Sequence, residues 1–216
     1  MIPTPDLSHL TTADYEHVYK PAEDTFILLD ALEQDADELR ETKPLVCLEI
    51  GSGSGCVSSF VGAILGHSCL YLSTDINPHA ASCTLRTARQ NKTAVDPIVA
   101  SLAGPVRTRL HRSIDLLIFN PPYVPTFDEE AYGAQSTAGI AGAWAGGRDG
   151  MQVTDALLDD LDNLLSPTGL FYLVAVKQND VPGIRSRMEQ ESGFRSEVVL
   201  QRRAGREHLF VVRFTR

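Results

Sequence analysis

The sequence predicts an α/β fold: a doubly wound sheet of seven strands, parallel except for an antiparallel hairpin at its C-terminal end. Three observations carry that prediction. Short apolar runs alternate with amphipathic stretches along the whole chain. Runs such as Leu116-Leu117-Ile118-Phe119 are apolar on both faces, as strands covered by helices on each side must be. The last two runs are joined by a short turn containing Ala204-Gly205, which suits a hairpin better than a helical crossover.

In chain order, the first helix is expected over Pro21–Leu39, with Pro21 in its first turn and Glu23 and Asp24 near its positive end. Leu45–Ile50 reads as the first strand and Ser54–Leu65 as the helix after it. Leu70–Asp75 and Pro97–Ser101 are the second and third strands, separated by a helix over Pro78–Asn91. Ile114–Phe119 is the fourth strand, Gly150–Leu165 the next helix and Leu170–Val176 the fifth strand. A helix over Pro182–Glu191 and strands over Phe194–Leu200 and His208–Phe214 complete the set. No repeat, low-complexity tract or long linker divides the chain, so residues 1–216 read as one domain. Residues 1–18 are expected to form a partly flexible extension.

Composition narrows the function. A chain of 216 residues, 43% hydrophobic and 22% charged, can bury one sizeable core. The net charge of −9, with no Lys/Arg cluster beyond short pieces such as Arg202-Arg203, argues against a long nucleic-acid substrate and makes a basic protein partner plausible. No apolar run approaches the roughly 20 residues of a membrane span. The first residues lack a basic-then-apolar leader pattern, so a cytoplasmic location is expected, with the nucleus as a second compartment. Cys47, Cys56, Cys69 and Cys83 are widely spaced with no C-x-x-C, so buried thiols are expected and no metal site.

Chemistry concentrates in three places. Glu49-Ile50-Gly51-Ser52-Gly53-Ser54-Gly55 follows the first strand and opens a helix, where glycine lets the backbone turn sharply and a ligand approach closely. Its third glycine comes one residue earlier than in a dinucleotide loop, and Glu49 would repel a pyrophosphate. That acid suits an ammonium group, or a water beside one. By itself the segment is equally a Gly-rich turn without a ligand. Asp75 ends the second strand 24 residues after Gly51, close to the ~20 expected of a carboxylate that holds a ribose diol. The competing role, capping the helix that begins at Pro78, falls to Asn77 and frees Asp75. Together the two features point to a nucleoside cofactor.

The third place is Asn120-Pro121-Pro122-Tyr123, delivered by the fourth strand to the carboxyl edge of the sheet, where ligand crevices form. The prolines fix the backbone and donate no hydrogen bonds. Asn120 Oδ1 and the Pro121 carbonyl are then candidate acceptors for the two hydrogens of a planar NH2. Such acceptors would draw electron density onto the nitrogen and stabilise the positive charge it gains as a nucleophile. Tyr123 is expected to stack on the planar group and align it. A rigid Pro-Pro turn alone explains the prolines but not the flanking Asn and Tyr.

With Tyr19-x-Pro21-x-Glu23-Asp24-Thr25 added, these motifs resemble the HemK-type glutamine methyltransferases over roughly Tyr15 to the C-terminus. The Asn-Pro-Pro-Tyr loop is also shared with adenine amino-methyltransferases. The short chain and the stretch Ala143-Trp144-Ala145-Gly146-Gly147-Arg148-Asp149-Gly150 resemble the eukaryotic branch, which modifies the class 1 translation release factor. The resemblance implies a Rossmann-like seven-stranded methyltransferase sheet, S-adenosyl-L-methionine as cofactor, and methylation of the glutamine amide in a Gly-Gly-Gln loop. A histone lysine is a second substrate in some members. It also implies a small zinc-binding activator subunit that pairs along a sheet edge, here expected at residues 97–101. Thr25, Glu49, Gly51, Gly53, Asp75 and Asn120 are the implied cofactor contacts. Where the family often has an acid for the adenine amino group, this chain has Ser101-Leu102, whose hydroxyl or backbone would have to serve.

Trp144 is open to two readings, packing beneath the site or covering the substrate. Tyr19 is open to stapling the first helix or reaching the cofactor. The functions to be separated are a protein-glutamine methyltransferase, an adenine methyltransferase acting on DNA or RNA, and a silent scaffold.

Overall fold

Parallel strands need apolar residues on both faces, and the computed structural model, which describes residues 1–216, places the expected runs accordingly. The elements are α1 (Thr12–Tyr15), α2 (Glu23–Gln34), α3 (Ala36–Thr42), β1 (Val46–Ile50), α4 (Cys56–Leu65), β2 (Leu70–Asp75), α5 (Pro78–Gln90) and β3 (Val95–Val99). They continue with β4 (Ile114–Phe119), α6 (Asp128–Thr137), α7 (Gln152–Leu158), α8 (Leu161–Leu164), β5 (Leu165–Val176), α9 (Val181–Ser192), β6 (Arg195–Ala204) and β7 (Glu207–Thr215). The seven strands form one sheet in the order β3-β2-β1-β4-β5-β7-β6. Pairing is parallel from β3 to β5, and β7 is antiparallel to both β5 and β6.

Alternation of side chains splits the interior into two layers. Cys47, Leu116, Ile118, Tyr172 and Val174 face one core, shared with α2, α3 and α4. Leu48, Leu117, Phe119, Phe171 and Leu173 face the other, shared with α7, α8 and α9. Cys47, Cys56 and Cys83 are buried free thiols, and Cys69 is half-buried. No helix is long and apolar enough to cross a membrane.

The departures from the sequence pattern have local causes. The helix expected over Pro21–Leu39 starts after Pro21, at Glu23, and breaks at Asp35. The Asp35 carboxylate accepts from the Tyr172 hydroxyl at 2.7 Å and lies 3.1 Å from an Arg213 nitrogen, which pins the break to the sheet. The helix expected over Gly150–Leu165 is two pieces, because the chain turns at Asp159-Asp160 to bury Leu161, Leu164 and Leu165. The third strand is Val95–Val99 rather than Pro97–Ser101, since Ala100 makes the last backbone bond to Asp75 and Leu102 turns away with φ of 47°. Residues 1–18, expected to be partly flexible, instead run across α5. Leu10 and Val18 are buried against Ala80 and Cys83, and Asp14 pairs with Arg86. Helix α6 was not expected; only Ala131 and Ala134 of it are buried, too few for a clear periodicity.

Candidate active site

The cavity lies where the order of the strands reverses, beyond the carboxyl ends of β1, β2 and β4, the position that open parallel sheets use for ligands. It holds about 920 Å³ of empty space, its open mouth included. Thr25, Glu49, Gly51, Gly53, Asp75, Ser101, Leu102, Asn120 and Pro122 all line it.

The loop after β1 is built against α5. Gly51 and Ser52 donate to the Thr74 carbonyl at 2.7 and 3.2 Å. Gly55 takes φ of 78°, and a Cβ there would sit 2.6 Å from Thr84 Cα, so only glycine lets α4 begin this close to α5. The Thr87 hydroxyl donates to the Ser54 carbonyl at 2.6 Å. Asp75 Oδ2 accepts from Gly53 N–H at 2.9 Å, and its Oδ1 from Asn77 N–H at 2.9 Å. Asn77 Oδ1 caps α5 through His79 N–H at 2.9 Å, so capping and cavity roles fall to different residues. Burial pushes the Asp75 carboxyl upward, against the pull of those two backbone bonds.

Glu49 is buried at the end of β1. Its Oε2 accepts from Ser58 N–H at 2.9 Å and from the Ser58 hydroxyl, which ties β1 to the first turn of α4. Burial outweighs both bonds and raises its pKa to about 8. A carboxyl held in that state takes up full negative charge once a cation is placed beside it.

The reactive loop alternates as an extended chain does: Asn120 and Pro122 line the cavity, and Pro121 and Tyr123 do not. This corrects the expected stacking role of Tyr123. Its ring is only 8% exposed and joins the core on the α2 side, with its hydroxyl 3.4 Å from Glu207 Oε2. The Pro121 carbonyl is likewise not placed on the cavity wall. Behind the loop, the Gly-rich stretch forms a brace. Val124 N–H donates to the Trp144 carbonyl at 3.0 Å and Gly146 N–H to the Val124 carbonyl at 2.9 Å. Asn179 Nδ2 donates to the Asp149 carbonyl at 2.9 Å and to the Tyr123 carbonyl at 3.3 Å. Trp144 holds its neighbours by its backbone, while its ring is half-exposed and off the cavity wall. Asp149 takes a left-handed φ of 56° and does not cap the next helix.

The orientation of Asn120 is decided by a neighbour. Its Nδ2 donates to Asp24 Oδ2 at 2.9 Å, and a carboxylate can only accept, so the amide oxygen must turn the other way. Asn120 Oδ1 is buried with no hydrogen-bond partner in the chain. A buried acceptor left unpaired costs about 1–3 kcal/mol, which a ligand N–H would recover. One further residue and one turn complete this corner. Tyr19 donates to Asp24 Oδ1 at 3.1 Å, and the turn Ile140–Ala143 closes the rim against Ile76. Only the motif that spans Tyr19 to Thr25 signalled the first of them.

A nucleoside-cofactor cavity on a parallel sheet closed by an antiparallel hairpin defines an S-adenosylmethionine-dependent methyltransferase of Rossmann-like fold. The residues present fit that cofactor: Glu49 and Asp75 offer carboxyl oxygens and the glycine loop offers an open wall. No family model matches the chain. It is 47% identical over 215 residues to mouse methyltransferase HEMK2, covering 100% of this chain and 97% of that protein. It is 43% identical over 226 residues to the eRF1 methyltransferase catalytic subunit mtq2 of Schizosaccharomyces pombe, covering 100% and 96%. Among solved structures, the Mtq2–Trm112 complex of E. cuniculi, responsible for methylation of the eRF1 translation termination factor, superimposes with a TM-score of 0.65 at 24% identity. That match covers 92% of this chain and 98% of that chain. The chain belongs to the HemK-type methyltransferases, in the HEMK2/Mtq2 branch.

Proposed function

We propose that the enzyme methylates the side-chain amide of the glutamine in the Gly-Gly-Gln motif of the class 1 translation release factor, as the catalytic half of a heterodimer with a small zinc-binding activator. The observation that carries this reading is Asn120 Oδ1, buried, unpartnered and turned away from Asp24 at the cavity wall. A planar amide NH2 is a poor nucleophile because its lone pair is delocalised. When bound, the cofactor supplies a methyl group on a sulfonium, which the substrate nitrogen takes as the carbon–sulfur pair returns to sulfur. Asn120 Oδ1 accepts one N–H of the substrate, holds the nitrogen in line, and stabilises the positive charge it gains. The nitrogen then loses a proton to solvent, so no strong base is needed. Pro122 gives that corner a stiff wall, and Thr25, Glu49, Asp75 and the Ser101-Leu102 backbone are assigned to the cofactor. The activator is assigned to the free edge of β3.

An adenine amino-methyltransferase would share the loop, but a net charge of −9, with no Lys/Arg cluster in the sequence beyond short pieces such as Arg202-Arg203, argues against a nucleic-acid substrate. The test is incubation of the co-expressed heterodimer with labelled cofactor, release factor and an oligonucleotide, followed by mass spectrometry. Label on the glutamine amide is expected. Asn120→Ala should lower turnover by about 100-fold while sparing much of the cofactor binding. Label on the oligonucleotide, or wild-type turnover in Asn120→Ala, overturns the reading.

A further inference from the structure

Asp24 is the second residue of α2, a position where an acid commonly does no more than complement the helix dipole. Its surroundings ask for more than that. It is 5% exposed, whereas its neighbour Glu23 reaches solvent. Neither carboxyl oxygen bonds to its own helix; one takes the Tyr19 hydroxyl and the other the Asn120 amide, 96 residues away in sequence. No arginine, lysine or histidine pairs with it, although burying a carboxylate without a cation costs stability. A mere helix-end acid would be cheaper on the surface.

We propose that Asp24 is a positioning residue for the methyl transfer: it holds the Asn120 side chain with Nδ2 inward and Oδ1 toward the reacting group. The inference rests on the function proposed above. An asparagine amide presents oxygen on one side and NH2 on the other, and the two orientations fill nearly the same space. Turned round, Asn120 would offer two N–H donors to a substrate NH2, which has no good acceptor to match them. Without a fixed acceptor at Nδ2, both orientations would be populated and part of the enzyme would be unproductive. Asp24 removes that ambiguity. A carboxylate on Nδ2 also polarises the amide, shifting electron density to Oδ1 and making it a better acceptor. Tyr19, by occupying Oδ1 of Asp24, leaves Oδ2 for Asn120 and fixes the rotamer of the acid.

The experiment compares kcat, KM, cofactor Kd and thermal midpoint for the wild-type heterodimer and for Asp24→Ala and Asp24→Asn. Mass spectrometry of the product is read in parallel. Asp24→Ala is expected to lose about 100-fold in kcat, the scale of losing one preorganised polar contact, with cofactor Kd within about twofold. Asp24→Asn keeps a carbonyl oxygen for Asn120 Nδ2 and should retain about a tenth of wild-type kcat or more. Formate added to Asp24→Ala should restore part of the rate, because a small carboxylate can occupy the vacated space. A purely structural residue would instead show equal losses in both variants, a fall in midpoint or cofactor binding that accounts for them, and no formate effect. Either that pattern or wild-type kcat in Asp24→Ala overturns the proposal. As a readout independent of turnover, the Asn120 side-chain NH2 should be protected from solvent exchange in the wild type and lose protection in Asp24→Ala; unchanged protection also overturns it. If the wild type labels something other than glutamine, the function fails, while the exchange comparison still judges Asp24.

Discussion

A buried carboxyl that stays protonated near neutrality is expensive unless something charged is meant to arrive beside it. Glu49 meets that description, with a pKa raised to about 8 from the ordinary 4.5 by burial. Between those values the folded chain holds a proton that the unfolded chain has released, so stability without cofactor is highest below pH 4.5 on this account. It declines as pH rises toward 8. Asp75, shifted in the same direction by burial, adds to that slope. Thermal midpoints measured from pH 5 to 8 should fall in the wild type and fall less in Glu49→Gln. Cofactor should remove much of the decline in the wild type, because an ammonium beside Glu49 favours its charged form. A wild-type profile no steeper than that of Glu49→Gln would falsify the assignment. At this scale the sequence was informative about chemistry and poor about direction. Glu49, Asp75 and Asn120 could be picked out because each acid or amide stands at a strand end. Which way Tyr123 points could not, since alternation along an extended loop is settled only when Asn120 is anchored by Asp24.

Elements show the same division between local pattern and distant contact. The parallel strands were legible because they are apolar on both faces, and α5 because Asn77 caps it and Pro78 follows. The break at Asp35 was not, because its cause lies in Tyr172 and Arg213, distant in sequence. The segment that braces the reactive loop is a further case: the reason for its glycines is close approach to residues distant in sequence. At Gly150, φ is 71° and an added Cβ would lie 2.0 Å from the Tyr123 carbonyl oxygen. Gly150→Ala therefore has to push the brace off the loop, at a cost of about 1–3 kcal/mol from backbone strain alone. The expected outcome is a lower thermal midpoint together with a kcat loss larger than any change in cofactor Kd, because the loop moves and the glycine loop does not. Equal losses in kcat and cofactor affinity would mean that the brace supports the whole cavity rather than the reactive loop.

For the molecule as a whole, the sheet has two free edges, and they differ. The β6 edge carries Arg195, Glu197, Arg202 and Arg203, charges of the kind that discourage strand addition. The β3 edge carries Ile98 and Val99, and Val99 is 56% exposed. Ala100 N–H donates to Asp75, so at alternate positions Val95, Pro97 and Val99 turn their backbone groups outward. Pro97 has no N–H to give and the Val95 N–H is already spent on the Thr93 carbonyl at 3.2 Å, so an added strand finds a donor only at Val99. That shortage of donors limits indiscriminate pairing while leaving a partner one fixed point of register, at Val99. Because β3 runs directly into Ala100-Ser101-Leu102 at the cavity wall, a subunit bound there would also steady the side of the site that lacks the family's adenine-binding acid. Val99→Glu should therefore abolish co-purification with a Trm112-type activator and leave the thermal midpoint of the lone chain close to wild type. Gln201→Glu on the β6 edge should leave the complex intact. The lone wild-type chain should be less soluble than its Val99→Glu variant, since the charge covers an edge that otherwise pairs with itself. If Val99→Glu and Gln201→Glu both co-purify at wild-type yield, the activator docks elsewhere, and the contribution of β3 to the site must come from its own pairing with β2.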